Sequence, residues 1–228
     1  MSVQTDIPVV TIDGPSGVGK GTISLRVAEQ TGWHILDSGS LYRLTAIKAQ
    51  KSDISPENES KIAEIARNLS VDYQQQGDSL QVLLDGHAVG DAIRTEETGN
   101  LASQIAAIPA VREALLQRQR DFARPPGLVA DGRDMGTVVF PDAGVKIFLT
   151  ASAEERAKRR YKQLIEKGID ANLHALVVEL TERDERDAQR RVAPLVAADD
   201  AVTIDTTQSS IDEVTEQVMQ LLHRRYRF

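Results

Sequence analysis

Residues 9–22 read Val9-Val10-Thr11-Ile12-Asp13-Gly14-Pro15-Ser16-Gly17-Val18-Gly19-Lys20-Gly21-Thr22, a short apolar run that passes at once into a glycine-rich stretch ending on lysine. The run Val9–Ile12 predicts a parallel strand buried on both faces. Gly14, Gly17 and Gly19 let the backbone curl so that successive N–H groups point inward at phosphate oxygens. Lys20 is placed to reach β- and γ-phosphates, and a helix starting near it presents its positive dipole end to them. The usual pattern has Ser or Thr directly after the lysine. Here Gly21 intervenes and Thr22 follows. Strand, loop and lysine in register predict a nucleoside triphosphate site made by Gly14, Pro15, Ser16, Gly17, Val18, Gly19, Lys20, Gly21 and Thr22.

Outward from this stretch the chain alternates strand and helix. Thr22 to about Gln30 predicts a helix stopped at Gly32, and Trp33–Asp37 a second strand. Ser40 reads as the cap of a helix through Ile47, and Ser55-Pro56-Glu57 as the start of another. Leu80–Leu84, Asp85-Gly86 and His87–Val89 predict a β-hairpin, with Val71-Asp72-Tyr73 as a third antiparallel strand, so a small antiparallel insert interrupts the alternation. Helices are expected from about Thr95 and from Pro109, ending at Pro125-Pro126-Gly127. Leu128–Asp131, Val145–Leu149 and Val202–Asp205 are further strands. Ser152-Ala153-Glu154-Glu155 has capping-box form and opens a basic helix, a second charged helix follows the break at 168–172 and runs through Arg191, and Ile211 to about His223 is a terminal helix. The expected class is α/β, an open parallel five-stranded sheet with helices on both faces and binding loops at the carboxyl ends of the strands.

Composition narrows the partners. The 228-residue chain carries a net charge of −7, which disfavours a polyanion such as DNA. Yet Arg156, Arg159, Arg160, Arg183, Arg186, Arg190 and Arg191 crowd one segment, which suits small anions. There is no cysteine, hence no thiolate metal site, and the four histidines stand singly without metal spacing. Residues 1–6 show no leader pattern and no apolar stretch is long enough for a bilayer, so a cytoplasmic protein without membrane or nucleic-acid partners, and a monomer, is expected.

Three further blocks decide which phosphate-loop protein this is. They are Leu36-Asp37-Ser38-Gly39-Ser40-Leu41-Tyr42-Arg43, then Ala130-Asp131-Gly132-Arg133-Asp134-Met135-Gly136-Thr137, and finally Glu182-Arg183-Asp184-Glu185-Arg186-Asp187 with Arg190-Arg191-Val192-Ala193-Pro194-Leu195. Together with the Gly-Lys-Gly-Thr variant of the loop, which is found in nucleoside monophosphate kinases, they resemble the bacterial cytidylate kinases of the long form. The resemblance covers essentially the whole chain, insert included. Ser38 and Ser40 stand where relatives often have Thr and Ala.

The resemblance implies transfer of the γ-phosphoryl group of ATP to CMP or dCMP with Mg²⁺, in a single domain. It implies a core at about 7–37, 106–152 and 192–228, a CMP-side region with the insert at about 38–105, and a helical lid at about 153–191. Lys20, Arg133 and Arg190 are the implied catalytic residues, and Arg156 and Arg160 resemble lid arginines closing over ATP. Ser38, Arg43 and Arg133 follow strand ends facing the loop and are assigned to the acceptor phosphate, with Tyr42 beside them. Arg183 and Asp187 are implied for the sugar and Arg190 for phosphate or base, all three on one helix face. Ser103, Arg112 and Asp134 are implied for the base. Mg²⁺ is expected through phosphates and water, with Asp131 or Thr22 as its protein partner; the bland reading of Asp131 is a cap for the following turn.

Phosphoryl transfer fits these residue types on chemical grounds. The acceptor phosphate is already an anionic nucleophile, so positioning and charge neutralisation carry the reaction, and no base of tuned pKa is required. Within the enzyme class the competing readings are kinases of UMP, AMP or dTMP. Outside it stands a guanine-nucleotide switch, whose Asn-Lys-x-Asp block is missing from this sequence.

Overall fold

The computed structural model describes residues 7–76, 79–166 and 168–227; the stretch 1–6, read above for a leader, lies outside them. Two compact units divide the chain, one formed by residues 1–37 with 119–228, the other by residues 38–118.

The first unit is built on a five-stranded parallel sheet. Its strands are β1 (Val9–Asp13), β2 (His34–Asp37), β6 (Leu128–Gly132), β7 (Val145–Thr150) and β8 (Val202–Asp205), in the order β2-β6-β1-β7-β8. The central strands β1 and β6 are buried throughout, as continuous apolar runs in a parallel sheet require. Helix α1 (Lys20–Thr31) and helix α8 (Ile211–Arg225) share one core with the sheet, in which Ile23, Val27, Val214, Val218 and Leu222 pack against Val10, Ile12, Val129 and Ile147. Burial of each such side chain stabilises by about 1.5–3 kcal/mol. Two further helices, α6 (Ala153–Glu166) and α7 (Leu173–Ala188), have a small core of their own, with Ala157, Leu176 and Leu180 buried and Leu164 and Val177 packed on them.

The second unit centres on α2 (Ser38–Lys51), whose Leu41, Leu44, Ala46, Ile47 and Ala49 are buried. Around it lie α3 (Glu59–Arg67), a 3-10 turn at Gly90–Arg94 and α4 (Glu96–Ile105), which Thr95 caps. The insert is a three-stranded antiparallel sheet of β3 (Val71–Gln76), β4 (Ser79–Leu84) and β5 (His87–Ala88). Its Asp85-Gly86 turn has positive φ at both residues, 51° and 78°, the twist that suits a tight hairpin. Helix α5 (Pro109–Arg120) begins at the expected proline.

Some local expectations fail for identifiable reasons. Ser40 is not at the helix start: α2 begins at Ser38, directly after β2, and Ser40 is buried in its first turn. Ser55 does not open α3 either. Its Oγ accepts from the Glu57 N–H in a turn, and Asn58 is the cap, its side chain accepting from the Lys61 N–H at 3.3 Å. The expected box at Ser152 closes on one side only. Ser152 Oγ accepts from the Glu155 N–H, but the Ser152 N–H donates to Thr207 and Glu155 pairs with Arg159. The complete capping box sits instead at Ser210 and Glu213. Helix α7 ends at Ala188, so Arg190 lies beyond it and does not share a helix face with Arg183 and Asp187.

Candidate active site

Parallel pairing brings the carboxyl ends of three strands together. Ile12 is in register with Asp131, Asp13 with Gly132, and Asp37 with Asp131. From this edge leave the glycine loop at Gly14 and the Arg133–Asp134 segment. Gly14 has φ 147°, and a Cβ placed on it would stand 2.2 Å from the Leu149 carbonyl oxygen, so the loop can hug β7 only with glycine there.

Lys20, the first residue of α1, is buried, and its Nζ donates to the Pro15 carbonyl at 2.8 Å, folding the ammonium back over the loop. Burial lowers the Lys20 pKa, Asp131 works against that, and the charges of Arg133 and Arg183 reinforce it. Lys20, Asp131, Arg133 and Arg183 therefore share one electrostatic neighbourhood. Burial raises the Asp131 pKa, opposed by Lys20, with Asp37 adding to the rise. A Cβ at Gly21 would lie 3.7 Å from Asp131 Oδ2, which places that carboxylate beside the start of α1.

The arginine-rich segment reaches the same edge. Asp187 on α7 is wholly buried, and its carboxylate accepts from Arg133 Nε and from Arg190 Nη2. Burial opposes the Arg133 charge, but the Asp187 carboxylate, with Asp131 and Asp184 behind it, holds that pKa above the ordinary value. Arg183, one turn earlier, is also buried. Arg156 on α6 is buried as well: its Nη1 donates to the Ser16 carbonyl of the loop at 3.0 Å, and its Nη2 pairs with Asp184 at 2.6 Å. Arg160 diverges from it and donates to Gln163 at 3.4 Å. The structure thus joins Arg156 to the phosphate loop.

In the second unit the named residues are fastened to its framework. Ser38 and Ser103 are buried, and the Arg112 guanidinium lies over the Tyr42 ring, 5.9 Å from its centre. Arg112 also donates to the Ala106 carbonyl at 3.3 Å. Arg43 is no loosely solvated charge, for its Nη1 donates to the Ile93 carbonyl at 2.8 Å and to Thr95 at 3.3 Å.

Asp134, buried, begins a five-residue turn of π type at Met135–Val139 that nothing in the helical or strand periodicity announced. Asp13 was missed as well. The N–H groups of Met135 and Gly136 donate to its two carboxylate oxygens, each at 2.8 Å. Burial pushes the Asp13 pKa up to about 7 against the pull of those two N–H groups. The signal available in the sequence was an acid ending a mainly aliphatic strand.

A magnesium ion bridging nucleotide phosphates keeps most of its waters and takes one or two protein oxygens. The buried carboxylate of Asp131, beside the start of α1, and the exposed hydroxyl residue Thr22 suit that donor set. Among the described residues no cluster of three or more His, Cys, Asp or Glu forms a protein-only metal cage, and no helix is long and apolar enough to cross a membrane.

Comparison with known proteins points to one family. A family model described as cytidylate kinase matches residues 10–224. A cytidylate kinase of Aeromonas salmonicida (strain A449) is 58% identical over 212 residues, covering 93% of this chain and 92% of that one. The cytidylate kinase of Colwellia psychrerythraea (strain 34H) is 55% identical over 219 residues, covering 95% and 96%. A solved structure of an uncharacterized protein from Eubacterium ventriosum aligns with a TM-score of 0.51 at 10% identity over 96% of this chain and 100% of that one, a likeness of fold alone. With a phosphate loop, an arginine-lined strand edge and a family match spanning nearly its whole length, this chain belongs to the cytidylate kinase family.

Proposed function

We propose that the protein transfers the γ-phosphoryl group of ATP to CMP or dCMP, yielding ADP and CDP or dCDP. The observation that carries this reading is the meeting of the phosphate loop with Arg133, Asp187 and Arg190 at the carboxyl edge of β1 and β6 in a member of this family. The loop amides and Lys20 hold the donor phosphates. Arg133 and Arg190 neutralise the acceptor phosphate and the equatorial oxygens of the group in flight. An arginine so placed is worth about 10³–10⁵ in rate. Asp187 is an acceptor for a ribose hydroxyl, with Arg183 beside it. Asp131 or Thr22, with the phosphates and water, would hold Mg²⁺, which would supply neutralisation of developing charge.

Ser103 and Arg112 are assigned to the base, and Asp134 to its amino group. Cytosine presents an N4 donor beside N3 and O2 acceptors, which suits a carboxylate with an arginine. Uracil would turn O4 towards the carboxylate, and a buried group left unpaired costs about 1–3 kcal/mol. Steady-state kinetics with CMP, dCMP, UMP and AMP at fixed ATP and Mg²⁺ test this reading. CMP and dCMP are expected to lead in kcat/KM, and a preference for UMP or AMP would reassign the acceptor.

A further inference from the structure

The turn at Met135–Val139 is held from both ends by groups that the phosphoryl-transfer reading does not use. At its amide end, Asp13 accepts from the Met135 and Gly136 N–H groups at 2.8 Å each. At its carbonyl end, Arg120 donates from Nε to Val139 O at 3.1 Å and from Nη2 to Val138 O at 3.3 Å. A carboxylate thus meets the exposed N–H groups, and a guanidinium meets the exposed carbonyls, the favourable sense at both ends of a short helical turn. The turn also lies flush on the sheet. A Cβ at Gly136 would come within 2.9 Å of Thr11 Oγ1, 3.2 Å of Lys146 Cδ and 3.3 Å of Asp13 Oδ2. Lys146 is itself buried and tied down, donating to Pro141 O and pairing with Asp200 at 2.9 Å.

Asp13 occupies a singular place in the chain, immediately before Gly14 of the phosphate loop. The turn it grips follows directly on Arg133 and Asp134, assigned above to the acceptor phosphate and the base. We infer that Asp13 and Arg120 are positioning residues for the acceptor, and that Asp13 joins the donor loop to the segment carrying Arg133 and Asp134, so that the two are held in one frame. The inference rests on the acceptor assignment of that segment. Neither side chain needs to touch substrate for this role.

The sign of the effect separates positioning from simple electrostatics. As a negative charge beside a phosphate site, Asp13 repels both nucleotides, and removing its charge alone would tighten both. As an anchor, its loss frees the turn and weakens only the acceptor. Asp13→Asn keeps the shape but sets an NH₂ against one of the two N–H groups. Arg120→Met removes the clamp at the other end, away from the phosphate loop.

Calorimetric titration of CMP and of ATP with Mg²⁺, each alone, into the wild type and the two variants is the test. Loss of one charge-assisted hydrogen bond at the anchor is expected to weaken CMP about tenfold in both variants, with ATP affinity kept or improved. The retained ATP affinity also shows that the variants are folded, and if Asp13→Asn does not fold, Arg120→Met is read by itself. Tighter binding of both nucleotides by Asp13→Asn, or unchanged CMP affinity in both variants, overturns the inference. So does an equal loss for ATP. A wild type that takes ATP but no CMP removes the acceptor assignment itself, a result visible before either variant is measured.

Discussion

Asp187 and Arg133 form a buried ion pair between the end of helix α7 and the end of strand β6, and Arg190 completes it from the opposite oxygen of the same carboxylate. The carboxylate is wholly excluded from solvent. Two arginines proposed to receive anionic substrate are thus held by a carboxylate of the same chain. On the proposed reading, an arriving phosphate competes with Asp187 for the guanidinium groups, and the released carboxylate accepts from a sugar hydroxyl.

Asp187→Ala is accordingly expected to cost stability and activity by separate routes. Removing one partner from a buried pair leaves uncompensated charge and destabilises by about 3–5 kcal/mol. Because the charges left behind are cationic, sulfate should restore part of the melting temperature in the variant and do little for the wild type. In kinetics, losing a hydrogen bond to a charged group lowers kcat/KM roughly ten- to a hundred-fold. A larger fall with CMP than with dCMP places the contact at the 2′-hydroxyl, and an equal fall places it at the shared 3′-hydroxyl. If kcat/KM stays within a few-fold of wild type for both, Asp187 has no role at the sugar.

Lys20→Ala should leave the fold intact while nearly abolishing turnover. The side chain is buried against the loop, where its Nζ donates to the Pro15 carbonyl, and it is no member of the hydrophobic core beneath. Burial already disfavours its charge in the free protein. Circular dichroism and melting should match wild type while coupled-assay turnover drops by orders of magnitude; retained turnover removes the phosphate-loop assignment.

Helices α6 and α7 are proposed to act as a lid over bound nucleotides. Like charges crowded in this segment would be expected to repel, yet the structure pairs them internally, Arg156 with Asp184 and Arg190 with Asp187. The small core of Ala157, Leu176 and Leu180 packs the two helices on each other, as movement as one body requires. Hydrogen exchange over residues 153–191 should slow when a bisubstrate analogue is bound, since closure excludes water. Equal exchange with and without the analogue identifies a rigid helix pair instead.

Asp13 also imparts a pH dependence to the ligand-free protein. Its folded-state pKa, about 7, lies above the ordinary 3.8 because burial penalises the carboxylate. The folded state therefore binds this proton more tightly, so the contribution to stability is full below about pH 4 and is lost as pH rises towards 7. The wild-type melting temperature should fall as pH rises from about 4 to about 7, and fall less steeply in Asp13→Asn. Parallel slopes in the two proteins would show that Asp13 does not titrate there. Asp131 is shifted in the same direction and leaves some slope in the variant.

What the sequence determined by itself is the α/β class, the phosphate loop and most of the elements, because each rests on near neighbours. Val9–Ile12 is a run of three aliphatic residues and one threonine, Gly14 to Lys20 spells its own backbone geometry, and Asp85-Gly86 carries the tight turn of the insert. The blocks around Arg133 and Arg183 were equally legible as residue types suited to anions. Caps were less so, since Ser40, Ser55 and Ser152 all have the right chemistry and the choice among neighbours such as Ser38 and Asn58 depends on where the chain is going. Only the tertiary structure decided the partners. Asp13 meets the amides of residues 135 and 136, far along the chain, because β1 and β6 pair in parallel and end together. Arg190 leaves the helix face expected of it yet returns to Asp187, and Arg156 turns from the lid to the Ser16 carbonyl. Local spacing cannot encode such contacts: a buried charge takes whichever opposite charge or dipole the packed chain leaves beside it, and that is settled by the sheet register and the packing of α6 and α7.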